Sequence, residues 1–177
     1  TLRGDFLYHE LSVRRKILHH HYEKNILENG DFMIISVPFS DSGNEPNNLE
    51  EILNECEEKN IPVWIDAAYM VMAGDITLDL TYECIQGISF SLTKAFYGCE
   101  RLRIGVRMKR VYEDDGIDIA NSMSMVSAVG CYVGYEIINK YSADYIFNTY
   151  RGRQQLLCEE LDLVPSKSVI FGLGDKF

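Results

Sequence analysis

Met33-Ile34-Ile35-Ser36-Val37-Pro38, then Leu49-Glu50-Glu51-Ile52-Leu53-Asn54-Glu55-Cys56, then Val63-Trp64-Ile65-Asp66 read in turn as strand, helix and strand. The first run is short, almost continuously apolar and rich in β-branched residues, which fits a buried strand. Asn48 stands where a helix cap belongs, and Leu49, Ile52, Leu53 and Cys56 keep helical spacing until Asn60-Ile61-Pro62 stops the helix. Strands joined through a helix over so short a stretch lie parallel, and a parallel sheet needs helices on its faces. The sequence therefore predicts an α/β protein, a three-layer sandwich around a mostly parallel central sheet.

Working outward, further strands are expected at Gly87 to Leu92 and Arg103 to Met108, separated by the loop Lys94 to Glu100. Two long helical stretches follow, Ile119 to Lys140 and Ala143 to Leu161, with a closing strand at Ser168 to Gly172. Upstream, Leu7, Leu11, Ile17, Tyr22 and Ile26 predict an amphipathic helix reaching Asn29-Gly30. The Pro165-Ser166 neighbourhood is the candidate boundary. It divides a large domain with its connecting helix, 1–162, from the start of a small C-terminal domain, 163–177.

The chain has 177 residues, 46% of them hydrophobic, enough for a substantial core. A net charge of -10 argues against a nucleic-acid partner, with Arg101, Arg103, Arg107, Lys109 and Arg110 as the one basic cluster. No apolar run reaches the roughly 20 residues that cross a bilayer. Thr1 to Asp5 lack the profile of a secretory leader. Five widely spaced cysteines without a CxxC pair suggest reduced thiols and a cytoplasmic setting. No metal is expected: His19, His20 and His21 are adjacent, and neighbouring helical side chains diverge by about 100°.

Polar residues gather at strand ends and in the loops between them: Asp66 with Tyr69, Ser91 with Thr93 and Lys94, and Arg103 with Gly105. Ligands of open α/β sheets bind at the carboxyl ends of strands. The order Asp-x-Ala-Tyr, Ser-x-Thr-Lys, Arg-x-Gly, spread over Met33 to Gly105, resembles the class I and II aminotransferases of pyridoxal-phosphate (PLP) fold type I. Taken alone, Ser91-Leu92-Thr93-Lys94 is also the serine-acylase motif of penicillin-binding proteins, but no Lys-Thr-Gly follows it.

The resemblance implies a PLP-dependent transaminase acting on an amino acid and a 2-oxo acid, built as a homodimer. Lys94 would be the catalytic Schiff-base lysine, and Asp66 the carboxylate that keeps the cofactor ring nitrogen protonated. At about 3 Å and an effective dielectric near 20, such a pair gains roughly 5 kcal/mol before desolvation. Tyr69 would donate to the ring oxygen, while Ser91, Thr93 and Arg103 would hold the phosphate, the last with a planar donor fork. Arg103 follows Lys94 by nine residues, one more than usual, so Arg101 competes for that role. Decarboxylase, lyase or condensing chemistry, or a non-catalytic dimerisation module, would fit the same cofactor residues.

Two departures from the family pattern stand out. Phe39-Ser40-Asp41-Ser42-Gly43 occupies the place of Asn-Pro-x-Gly, so the shorter Ser40 replaces the asparagine expected at the cofactor ring. The glycine-rich phosphate turn and the carboxylate-binding arginine are not recognisable, which makes the sequence look like a partial domain. Arg151 and Arg153 are candidates for polar contacts near the domain junction.

Overall fold

The computed structural model describes residues 1–2, 20–24, 26–96, 99 and 101–174. Four strands form one sheet in sequence order: β1 (Met33–Ser36), β2 (Val63–Asp66), β3 (Ile85–Ser91) and β4 (Gly105–Lys109). The first three are parallel, with Met33 opposite Val63, Ser36 opposite Asp66, and Asp66 opposite Ser89. β4 runs antiparallel to β3, with Ser91 opposite Gly105 and Gly87 opposite Lys109. The expected α/β class with a mostly parallel sheet is thus observed. Reversal of β4 has a functional consequence: it brings the start of that strand to the edge where β1, β2 and β3 end.

Burial follows the two-residue period of a strand. Met33, Ile35, Val63 and Ile65 are almost wholly buried, and Ile52, Leu53 and Cys56 of α1 (Leu49–Glu58) belong to the same core. Each such side chain contributes about 1.5–3 kcal/mol by leaving water. The alternate residues Ile34, Trp64, Asp66 and Ser89 are only half-buried. Here the Trp64 indole lies across Gly87, where an added Cβ would come within 2.4 Å of the ring, and its Nε1 donates to Ser89 Oγ at 3.3 Å.

Several local expectations need correction. Asn48 precedes α1 but makes no side-chain capping bond, and the helix start instead carries Glu50 and Glu51, whose charges suit its dipole. The helix ends with Asn60 in the left-handed region at φ 54° while Ile61 N–H closes onto the Cys56 carbonyl at 2.8 Å. The stretch expected as one helix from Ile119 to Lys140 is two, α2 (Gly116–Ser122) and α3 (Ala128–Lys140). Asp115 caps the first through a reciprocal box with Asp118, and Ser127 Oγ accepts from Gly130 N–H. α4 spans Tyr145–Glu160.

The closing strand is reduced to β6 (Gly172–Leu173), paired antiparallel with β5 (Val164–Pro165). Most of the expected N-terminal helix lies outside the described residues. Its described end is a single 3-10 turn, Tyr22–Lys24, and Ile26 is 80% exposed. Tyr132 and Tyr135 are 65% exposed on α3 and take no part in this chain's core. Among the described residues, no helix is long and apolar enough to cross a membrane.

Candidate functional site

Asp66 is the last residue of β2 and Ser91 the last of β3, so the sheet register alone carries both to one edge. Asp66 is half-buried, and its Oδ1 accepts the Ala68 N–H at 3.0 Å, which turns the chain directly after the strand. Tyr69 follows in that turn, immediately before the 3-10 turn Met70–Met72. After β3, Ser91 Oγ accepts the Lys94 N–H at 3.3 Å and lies 3.5 Å from Thr93 Oγ1. Thr93 itself is buried. These bonds shape the loop so that the Lys94 Nζ reaches back over the Tyr69 ring, 4.1 Å from its centroid.

Electrostatics tie one further residue, Arg103, to this group. Burial lowers the Lys94 pKa below the ordinary lysine value, although part of the side chain remains in contact with solvent. The Asp66 carboxylate opposes that shift and the Arg103 guanidinium adds to it. Arg103 is exposed and sits two residues before β4, in the left-handed region at φ 51°. A non-glycine residue adopts that conformation infrequently and at some cost in energy.

The structure therefore gathers Asp66, Tyr69, Ser91, Thr93, Lys94 and Arg103 at one sheet edge. Ser40 lies beyond the carboxyl end of β1, in a turn closed by Phe39 N–H to the Asn44 carbonyl at 2.6 Å. A carboxylate, a phenol, an amine of lowered basicity, two hydroxyls and a guanidinium form a donor set that fits a phosphorylated pyridine aldehyde. Cys99 is half-buried near this loop.

Two cavities among the described residues lie close to this group, and neither coincides with the whole of it. One, of about 460 Å³, is mostly apolar and lies under the lysine loop, lined by Phe90, Leu92, Phe96, Val106 and Ile137. The other, of about 630 Å³, lies along β4 and includes Arg103, Arg107, Lys109 and Asp118. Most of its cations are already engaged. Arg107 makes a two-pronged contact with Asp115 at 2.7 Å and a third bond to Asp118 at 2.6 Å, and Lys109 pairs with the same two aspartates. Arg110 is spent on the Ile85, Leu80 and Tyr82 carbonyls. The basic cluster read from the sequence is thus largely a structural clamp, and the acidic half of it, Asp115 and Asp118, was not anticipated.

Arg151 is similarly committed, to Gln154 Oε1 and the Ser166 carbonyl, with its guanidinium over Phe147. Among the described residues no cluster of His, Cys, Asp or Glu could hold a metal ion.

No protein-family model matches the chain, and no curated protein matches it. Solved structures do. The "probable N-succinyldiaminopimelate aminotransferase" of Thermus thermophilus superposes with TM-score 0.69 at 13% identity, over 98% of this chain and 56% of that one. The L-threonine-O-3-phosphate decarboxylase of Porphyromonas gingivalis gives 0.65 at 14% identity, over 93% and 56%. The N-succinyldiaminopimelate aminotransferase of Mycobacterium tuberculosis gives 0.55 at 16%, over 84% and 42%. The chain spans a little over half the length of the first two structures. It has the fold that these aminotransferases and this decarboxylase share, the PLP fold type I architecture its motifs resemble.

Proposed function

We propose that this chain forms the cofactor-bearing part of a PLP-dependent enzyme that transfers an amino group between an amino acid and a 2-oxo acid. The observation that carries the reading is the Lys94 amine, lowered in basicity by burial and by Arg103, standing over Tyr69 at the sheet edge where Asp66 ends its strand. Likeness in fold to aminotransferases supports it.

When bound, PLP supplies an electron sink for negative charge developing on the substrate carbon. Lys94 would hold the cofactor through its neutral amine and would move a proton as general base. Asp66 holds a proton at the ring nitrogen. Tyr69 donates its hydroxyl hydrogen toward the ring oxygen. Ser91 and Thr93 donate hydroxyls to the phosphate, and Arg103 answers its charge with a paired donor fork.

A homodimer in the cytoplasm, with a division between 1–162 and 163–177, completes the reading. The exposed apolar residues Val129, Tyr132, Tyr135 and Ile138 on α3 support an association surface. Decarboxylation is the second reading, favoured by the likeness to the P. gingivalis decarboxylase. Borohydride reduction of the PLP-treated full chain, followed by peptide mass mapping, tests the assignment. A reduced cofactor label on Lys94, absent from Lys94→Ala, supports it. A folded protein that takes up no label there overturns it in favour of a non-catalytic module.

A further inference from the structure

The segment after α4 is bonded to two loops far from it in the chain. The Lys167 N–H donates to Asn44 Oδ1 at 2.8 Å, its ammonium pairs with Glu45 at 2.6 Å, and the Ser168 N–H donates to the Gly43 carbonyl at 3.0 Å. On the other side, Gly74 N–H donates to the Lys167 carbonyl at 3.1 Å and Val169 N–H to the Met72 carbonyl at 2.9 Å. Residues 167–169 thus lie between the turn after β1, which carries Ser40, and the turn after β2, which carries Tyr69.

Gln154 holds this segment in place. The residue is 6% exposed, and its amide donates to the Ser168 and Phe171 carbonyls at 2.8 and 2.6 Å, with the Ser166 carbonyl at 3.3 Å, while its Oε1 accepts from Arg151. Ser166 and Ser168 are themselves buried, so this amide answers carbonyls that water does not reach. The fit against the first turn is close. Gly43, at φ 72°, has no room for a Cβ, which would stand 2.5 Å from Phe171, 2.7 Å from Ser166 Oγ and 2.9 Å from Ser168.

Displacement of this segment reaches both site loops through short covalent and hydrogen-bonded paths. Gly43 N–H closes onto the Phe39 carbonyl at 2.8 Å, on either side of Ser40, and Met72 N–H donates to the Tyr69 carbonyl at 3.0 Å. We infer that Gln154 is a positioning residue of the site, acting through residues 166–169 to set how the Ser40 and Tyr69 loops face the cofactor held by Lys94. The inference rests on the PLP reading given above.

The test uses the full chain loaded with PLP, as wild type, Gln154→Met, Gly43→Ala and Asn44→Ala. Gln154→Met keeps the side-chain volume and removes the donors, Gly43→Ala wedges the contact apart, and Asn44→Ala removes only the acceptor of the Lys167 N–H. Three quantities are read on folded protein: the melting temperature, the PLP dissociation constant, and the pH midpoint of the bound cofactor's absorption band. The expected result is a midpoint shifted by about half a unit and PLP bound about three- to tenfold more weakly.

Variants that melt lower while midpoint and dissociation constant stay at the wild-type values overturn the inference and leave a purely structural staple. A wild type without a cofactor band or a Lys94 label overturns the PLP reading and this inference together. Should Gln154→Met not accumulate as folded protein, Asn44→Ala decides by the same readings.

Discussion

The Lys94 Nζ stands 4.1 Å from the centroid of the Tyr69 ring, although the two residues belong to the loops after different strands, β3 and β2. A cation over an aromatic face is worth about 0.5–1 kcal/mol at a partly exposed site, and it favours the protonated amine. Tyr69→Phe keeps the ring and leaves the Lys94 pKa close to wild type. Tyr69→Leu removes the ring and lowers it by about half a unit. Titration of isotopically labelled Lys94 by NMR, without PLP, checks both.

The charges around Lys94 act in opposite senses, so their removal does too. Asp66 raises the Lys94 pKa and Arg103 lowers it, against a larger lowering by burial. Asp66→Asn therefore lowers the value further, and Arg103→Gln raises it. Attack on an aldehyde needs the neutral amine. The pH midpoint for the rate of label incorporation at Lys94 moves down in the first variant and up in the second, and equal movement of both would contradict the arrangement.

The half-buried face of the sheet depends on the absence of a side chain at Gly87. A Cβ there would meet three atoms of the Trp64 ring at 2.4, 2.7 and 2.9 Å, and the indole is also tied to Ser89. Gly87→Ala destabilises the fold by about 1–3 kcal/mol as the ring is driven off its rotamer. Chemical denaturation followed by the fluorescence of Trp64, the chain's single tryptophan, measures the loss directly.

Acid should release α2 through the Arg107, Lys109, Asp115 and Asp118 cluster. Hydrogen bonds from Arg107 hold the Asp115 carboxyl well below the usual range, and those from Lys109, then Arg107, lower the Asp118 carboxyl. The folded pKa values lie below the unfolded ones, so the stabilisation is fully present above about pH 4. It is lost as pH falls from there through the folded values. Asp115→Asn loses the ion pairs to Arg107 and Lys109 but keeps a side-chain oxygen that accepts the Ile117 and Asp118 N–H groups, so the protection of its α2 amides is lower at neutral pH and changes less on acidification. Hydrogen exchange of residues 116–122 between about pH 3 and 7 is the measurement.

Local pattern made much of the fold legible. The βαβ unit from Met33 to Asp66 is readable because period-two and period-3.6 spacings of apolar residues dictate which faces leave water. The site candidates were readable for a related reason: Asp66, Ser91 and Lys94 sit at or just past strand ends, and parallel strands must end on one edge. Where the reading failed, the deciding force was local hydrogen bonding that competes with periodicity. Asp115 and Ser127 stop and restart a helix that hydropathy alone would run from Ile119 to Lys140. Asn48, a favoured cap residue, makes no capping bond at all.

What the sequence by itself determined is the order of elements, the α/β class and the short list of candidate site residues, since these depend on neighbours within a few positions. Only the tertiary structure decided that β4 runs antiparallel and so delivers Arg103 to the Lys94 edge. It also showed that Arg107, Lys109 and Arg151 are consumed by internal partners, and that Gln154 organises a segment touching both site loops. Those facts turn on contacts between residues as much as 123 positions apart, and no local preference along the chain encodes them. They follow from how the packed elements meet: a buried amide or guanidinium bonds whichever carbonyl or carboxylate the fold leaves beside it.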